Sequence, residues 1–307
     1  QYDLTARYAS SALIWNMQCM PLTYLPFRQS FQIYLNLLMV EGRSVELEVL
    51  SKYAWAMNEP QKKDDASAPK NWVIANNLAV AYLGQSRYEE ASGILKEMLA
   101  RTTQKGARLY LLNNLGLCYT KLKDFDNAGR CIKEGMALNG GKKENAIGYR
   151  LIFVNGLLEY ERGNYDLADA CVTEAQQLAA KMREPIEMQG GIEQVLSKIR
   201  LKQGRLDEAE LHCRNAFSAF ESAPSPSYFA LSMCFLTFAE ISAAQGNQAR
   251  CEEYITRARL AREAGIDREA ATMASISQRL NSNKRILVGT QLIENATRNP
   301  LLERTVH

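Results

Sequence analysis

The stretch LGLCYTKLKDFDNAGRCIKEG, from Leu115 to Gly135, determines the kind of fold that this 307-residue chain can adopt. On both sides of its centre, hydrophobic residues recur at spacings of three and four, which indicates two helices with one buried face each. Between them lie Lys123 and Asp124, a polar pair that favours a turn. Phe125 follows the turn, and Ala128 offers a small side chain where the second helix meets the first. The stretch therefore predicts a helical hairpin.

The same phrase recurs along the chain: a turn, an aromatic residue or leucine, an acid or amide, and then an alanine. Its aromatic position is occupied, in chain order, by Ser44, Tyr88, Phe125, Tyr165, Leu206 and Gln248, of which the first and last belong to weaker copies. These positions lie 44, 37, 40, 41 and 42 residues apart, a regular period that is typical of helical-pair repeats. The glycine or serine that opens most copies is expected to end the first helix in a left-handed turn.

The pattern resembles the tetratricopeptide repeat, whose signature is a leucine–glycine pair followed by tyrosine, alanine, phenylalanine and proline. The best match consists of Leu115, Gly116, Tyr119, Phe125 and Ala128. The copies here exceed the family's standard 34 residues and mostly lack the closing proline, so the resemblance is to an elongated-repeat type. It implies an all-α fold, namely a right-handed superhelical solenoid of antiparallel helix pairs.

Three segments are expected along the chain. Residues 1–28 are predicted to form an extra N-terminal helix that ends near Pro21 to Pro26, and residues 29–266 about six helix pairs. Residues 267–307 are predicted to form a capping helix, with Asp267 near its start, and a C-terminal tail. Polar loops are expected at three places, residues 58–69, 140–144 and 222–227.

Composition argues against several classes of function. The 37 basic and 34 acidic residues leave a net charge of +3, so the dense basic surface of a nucleic-acid-binding protein is not expected. The early apolar stretch, residues 12–27, is too short and too interrupted by polar residues and prolines to span a bilayer. Seven widely spaced cysteines contain no CxxC pair and indicate a reducing compartment. A cytoplasmic location is predicted, alone or as part of a longer or membrane-anchored protein.

Catalytic chemistry has little support in the residues. The two histidines are His212 and His307, too few for histidine-based triads or metal sites. Residues 140–143, GGKK, lack the spacing and the preceding strand of a phosphate-binding loop. We therefore expect no enzyme activity, no metal and no cofactor.

The first helix of each pair is expected to line the concave face of the array, and residues three or four apart on it point to the same side. This predicts a partner-binding groove made of Val73, Asn76, Val80, Leu83, Tyr110, Asn113, Leu117, Lys121, Arg150, Phe153, Leu157, Tyr160 and Lys198. The set is more apolar and aromatic than solvent exposure favours, which predicts a bound protein segment. The amides of Asn76 and Asn113 suit the main chain of an extended peptide, while Asn77 and Asn114 alternatively tie neighbouring repeats together.

Three functional hypotheses follow. The first is an interaction scaffold that holds a peptide or helix of a protein partner in the groove. The second is a ligand- or peptide-sensing domain of a larger regulator. The third is self-association through the N-terminal apolar residues Leu13, Trp15, Leu22, Leu25 and Phe27. The chaperone-carboxylate clamp known in the family is not expected, because Asn76 and Val154 stand where it needs lysine and arginine.

Overall fold

A computed structural model describes residues 25–40, 42–57, 72–223 and 226–281. Within these residues the chain forms twelve α-helices and no strand, which confirms the predicted all-α repeat fold. The helices are α1 Leu25–Val40, α2 Ser44–Met57, α3 Trp72–Gly84, α4 Tyr88–Arg101, α5 Lys105–Lys121, α6 Phe125–Leu138, α7 Ala146–Glu161, α8 Tyr165–Lys181, α9 Ile186–Lys202, α10 Leu206–Glu221, α11 Tyr228–Ala244 and α12 Gln248–Asn281. They divide between two compact units, one made of Gln1–Gln85 with Glu263–His307 and the other of Ser86–Arg262.

The residue that opens each copy of the repeated phrase adopts the left-handed conformation, as predicted. Positive φ angles between 59° and 83° occur at Gly42, Ser86, Lys123, Gly163, Gly204 and Gly246. After α7, the amide nitrogen of Gly163 donates to the carbonyl of Tyr160, and that of Asn164 donates to the carbonyl of Glu159. This pair of bonds satisfies the last carbonyls of the helix and reverses the chain within two residues. Each first helix therefore ends at a fixed distance from the start of the second.

Small residues set the separation of the two helices in a hairpin. The repeated alanines at 91, 128, 168 and 209 are fully buried, and Cys251 occupies the same place in the last copy. Opposite Ala168, the first helix α7 carries Gly156. A Cβ atom built on Gly156 lies 2.5 Å from Cγ2 of Val172 and 3.3 Å from the carbonyl oxygen of Ala168. The backbones of α7 and α8 are therefore closer than any side chain on Gly156 would permit.

The first helices of the second unit form one layer. Helices α5, α7 and α9 each pack against the next first helix, and the second helices α4, α6, α8 and α10 each pack against the first helix of the following hairpin. The first helices therefore form one continuous layer, which is the layer that the sequence predicts to line the concave face. Side chains on its open surface are the ones available for a partner.

The junction between the hairpins α7–α8 and α9–α10 is polar, whereas the junction between α9–α10 and α11–α12 is aromatic. Gln176 on α8 donates to Glu193 on α9 at 2.6 Å, and Nδ1 of His212 on α10 lies 2.7 Å from the other oxygen of the Glu193 carboxylate. Forty-one or forty-two residues later, the equivalent places hold Phe217, Phe235 and Tyr254, with centroids of successive rings 5.2 Å and 6.3 Å apart. We call Gln176, Glu193 and His212 the polar junction.

The carboxylate of the polar junction is stabilised in its charged form. Burial alone would raise the pKa of Glu193, but hydrogen bonds and charge from His212, with further hydrogen bonds from Gln176 and Asn215, outweigh burial and lower it. A half-buried carboxylate is tolerated here because three neighbours satisfy its two oxygens.

Two predicted boundaries were wrong. Helix α1 begins at Leu25, so Pro26 lies in its first turn instead of ending an earlier helix; proline is tolerated there because the first N–H groups of a helix have no partner. Asp267 begins no separate capping helix, since α12 continues through it to Asn281. Strong helix formers flank Gly265 in this segment, so one glycine does not end the helix. Residues 1–24, the whole of the 58–69 loop and the 282–307 tail lie outside the described residues.

Substitution of Gly156 tests the close approach of α7 and α8. Gly156→Ala is expected to lower the free energy of unfolding by about 1–3 kcal/mol, because the added methyl group overlaps Val172. Gly93→Ala on α4 is the matched control: its new methyl group meets open space, so better helix propensity should raise stability by about 0.5–1 kcal/mol. Urea unfolding followed by circular dichroism gives both values. If both substitutions changed the free energy of unfolding by the same amount and in the same direction, the close packing of α7 against α8 would be contradicted.

Substitution of Glu193 tests the polar junction. The folded-state pKa of Glu193 is depressed, so its contribution to stability is present above the unfolded value of about 4.3 and is lost as pH falls through the folded value. Glu193→Gln is expected to cost about 1–2 kcal/mol at pH 7 and progressively less toward pH 3. Glu97→Gln, which removes one partner of an exposed pair on α4, should cost at most about 0.5 kcal/mol. A cost at Glu193 that is independent of pH would contradict this account.

Candidate partner-binding face

The open surface of the first helices in the second unit can be defined by counting back from each left-handed turn. Positions 3, 6, 10 and 13 residues before it lie on one helical face, because these intervals follow the helical repeat. We call the resulting set the inward face: Tyr110, Asn113, Leu117 and Thr120 on α5; Arg150, Phe153, Leu157 and Tyr160 on α7; Gly191, Gln194, Lys198 and Leu201 on α9; and Met233, Leu236, Glu240 and Ala243 on α11.

Most sequence-predicted residues of the second unit are only partly covered. Leu117, Phe153 and Tyr160 are half-buried, while Tyr110 is 38% exposed and Lys121 is exposed beside the face. Leu157 is buried between its neighbours. A band of large side chains, neither packed away nor fully solvated, thus runs across α5 and α7.

The asparagine on this face is turned inward. Asn113 is buried, and its Nδ2 donates to Oδ1 of Asn114 at 3.0 Å. Its own Oδ1 is covered and has no hydrogen-bond partner within the described part of the chain. Contact between Asn113 and a bound main chain would therefore need a change in the side-chain amide, and that role stays a prediction.

The four residues predicted on α3 belong to the first unit. Val73, Asn76, Val80 and Leu83 are half-buried there, and Asn76 has a partner of its own. Their membership of a groove stays a prediction.

One end of the inward face is charged. Lys121 on α5 pairs with Glu161 on α7 at 2.9 Å. Lys198 on α9 is half-buried and forms neither a hydrogen bond nor an ion pair with any residue in the described ranges. Burial lowers the pKa of Lys198, while the charge of Glu240 on α11 opposes that shift. Sequence reasoning missed Glu240, although it stands 42 residues after Lys198 and so occupies the same place in the next repeat.

Tyr160 lies close to the same charges. Burial raises its pKa to about 12, and the carboxylates of Glu240 and Glu161 add to that rise. Glu240 acts through its charge on both Tyr160 and Lys198, and Lys198 stands on α9, which packs against both α7 and α11.

The other end of the inward face is open. Arg150 is already engaged, because its guanidinium lies 3.5 Å from the Glu184 carboxylate and donates to the hydroxyl of Tyr149. Beside it on α9, a Cβ atom built on Gly191 finds nothing within 4 Å. The place on α9 that is equivalent to Arg150 on α7, three residues before Gln194, is therefore open to a side chain.

Other kinds of site are not found in the residues that the structure describes. No three histidine, cysteine or acidic side chains there come together to hold a metal ion, and none of the described helices combines the length and apolarity needed to cross a membrane. The cysteines at 118, 131, 171, 213, 234 and 251 are free thiols. Burial raises the pKa of Cys118 to about 12 and that of Cys131 to about 11, so both stay protonated and unreactive.

Comparison with known proteins agrees with the repeat geometry. Residues 73–105 match the tetratricopeptide repeat family. No curated protein sequence matches the chain. The apo form of RapI resembles the structure with a TM-score of 0.57 at 15% identity, over 85% of this chain and 98% of that one.

Two further solved structures have the same fold. A chain from the APC/C hetero-tetramer Cut9-Hcn1 gives a TM-score of 0.57 at 12% identity, covering 99% of this chain and 56% of that one. BtubC (BKLC) from P. vanneervenii gives 0.51 at 14% identity, covering 75% and 91%. At such identities the likeness is one of fold. The described chain therefore has the helical-pair solenoid fold of tetratricopeptide repeat proteins, and its residues 73–105 match the repeat of that family.

Proposed function

We propose that the inward face binds an extended or helical segment of a protein partner. Repeats of this fold generally mediate protein–protein interactions. The observation that carries the proposal is the band of large, half-covered side chains that borders the open space at Gly191. A segment laid across α7, α9 and α11 would cover Phe153, Leu201 and Leu236 together.

Burial of this band supplies a driving force. Apolar surface removed from water contributes about 25 cal/mol per Å², and residues such as Leu236, 37% exposed, still have surface to lose. The inward face is carried by helices that are fixed by their hairpins, so little conformational entropy is lost from this side of the interface. Binding is therefore favoured over catalysis, for which the face offers no nucleophile paired with a base.

The other hypotheses rest on the sequence alone. Three of the five residues proposed for self-association, Leu13, Trp15 and Leu22, precede the described ranges, and Leu25 and Phe27 stand at the start of α1. A sensing role within a larger regulator would use the same inward face, with the partner segment as the signal. A cytoplasmic location fits the free thiols but stays a prediction.

A bulky residue at Gly191 tests the proposal. Peptides are first selected against the wild-type protein from a random dodecapeptide display library, and their Kd values are measured by fluorescence anisotropy. Gly191→Trp introduces a large ring at a place where a Cβ atom meets nothing within 4 Å, so it should weaken the binding of the selected peptides at least about tenfold, equivalent to about 1.4 kcal/mol. The fold should be retained, as circular dichroism will check.

Gly93→Trp is the matched control, since Gly93 also faces open space but lies on α4, a second helix. It should leave peptide affinity unchanged. Peptides that bind Gly191→Trp as tightly as wild type, or a library that yields no binder, would contradict the proposed function.

A further inference from the structure

We propose that the inward face recognises an acidic side chain, Asp or Glu, within the bound segment, and that Lys198 is its counter-charge, with Gln194 and Tyr160 as additional hydrogen-bond donors. This inference rests on the proposed function and names the chemistry of the partner segment.

Lys198 has an unmet electrostatic requirement. It is half-buried where α7, α9 and α11 meet, and no described residue bonds to its ammonium group. The nearby carboxylates do not meet this requirement, because Glu161 pairs with Lys121 and Glu240 is exposed to water. A partner that covers the face removes the remaining water from Lys198, and an ammonium group buried without a counter-charge is strongly unfavourable. An apolar or basic residue opposite Lys198 would therefore oppose binding.

Two further donors lie beside the ammonium group. Gln194 is one helical turn before Lys198 on α9, and its Nε2 is covered and without a partner within the described residues. The hydroxyl of Tyr160 on α7 likewise makes no hydrogen bond to the described chain. A carboxylate accepts several hydrogen bonds through its two oxygens, so it can satisfy all three groups, after rotation of the Gln194 amide about its terminal bond.

Glu240 does not reverse this preference. Its carboxylate is exposed and keeps its hydration, so it has no comparable need for a partner, whereas Lys198 has already lost much of its water. The requirement for a counter-charge therefore belongs to the lysine. Glu240 would instead disfavour an anion placed nearer to α11, which confines the acidic residue to the side of α7.

The position of Lys198 within the face indicates an internal acidic residue and not a chain end. The equivalent places on α5 and α7 are Leu117 and Leu157, so the lysine is flanked by an apolar surface on one side. On the other side, the equivalent place on α11 is Glu240, and the exposed Leu236 lies one helical turn before it. A bound segment would continue past Lys198 in both directions and place apolar residues next to the acid.

Charge reversal at Lys198 tests the inference. The random dodecapeptide library is selected in parallel against wild type, Lys198→Glu and Lys133→Glu. Lys133 is an exposed lysine on the second helix α6, so its variant has the same net charge change away from the face. Wild type and Lys133→Glu should enrich peptides with Asp or Glu at one fixed position beside apolar residues. Lys198→Glu should lose that enrichment and favour Lys or Arg at the same position.

A second measurement isolates the contact. In the tightest selected peptide, replacement of the acid by its amide should weaken binding to wild type about tenfold or more, and binding to Lys198→Met by less than about twofold. Lys198→Met keeps the length of the side chain and removes a half-buried charge, so it should fold even if Lys198→Glu does not. Mixing each variant with both peptides completes a double-mutant cycle.

The outcomes separate the two levels of the proposal. Two results would overturn the inference and leave the proposed function standing. In the first, the selected peptides bind in a Gly191-dependent manner but have no acidic position. In the second, the acid of the peptide contributes equally to binding with and without Lys198. Binding that depends only on a free C-terminal carboxylate would also overturn it. Failure of every variant, wild type included, to select peptides would instead count against the proposed function.

Discussion

The close contact between the two helices of each hairpin is the constraint on which the rest of the structure depends. A left-handed residue ends the first helix, and a fully buried alanine three residues into the second lets the two backbones approach. Where the facing residue is Gly156, even a methyl group would overlap the neighbouring helix. Because this contact is repeated with nearly the same geometry, the first helices of the second unit come to lie side by side. The positions of the inward face then form one continuous surface.

Junctions between hairpins are less constrained than the hairpins themselves. The same three places hold Gln176, Glu193 and His212 at one junction and an aromatic cluster at the next. Both solutions fill the space, but they differ in physical character: aromatic packing depends little on pH, whereas the polar junction relies on an ionised carboxylate held by hydrogen bonds. The array therefore varies in stability along its length, although its helices look alike.

Sequence alone was sufficient for the hairpins because the turn residues and the alanines are local signals that recur at a regular period. It failed at Pro26 and Asp267, where the same residue type is compatible with either a boundary or the first turns of a continuing helix. For the binding face, the helical period identified which side of each first helix points inward. It could not show that Asn113 is covered or that Arg150 is paired with Glu184. Nor could it show that Lys198 forms no ion pair with the described residues. Those facts depend on side chains from neighbouring helices.

The chemical character of the inward face depends on which of its charged side chains are already paired within the chain. Lys121 and Arg150 are paired with carboxylates of the chain itself, so they contribute little to selecting a partner. Lys198 differs because it stands on the central helix α9, half-covered by its neighbours, where Glu240 and Glu161 act on it through their charge but no described carboxylate forms an ion pair with it. A mostly apolar surface gains affinity from the area that it buries, but it discriminates little between partner segments. A buried charge, by contrast, lowers the affinity of every segment that lacks an opposite charge at that place. Selectivity of the inward face for a partner would therefore be concentrated at this lysine.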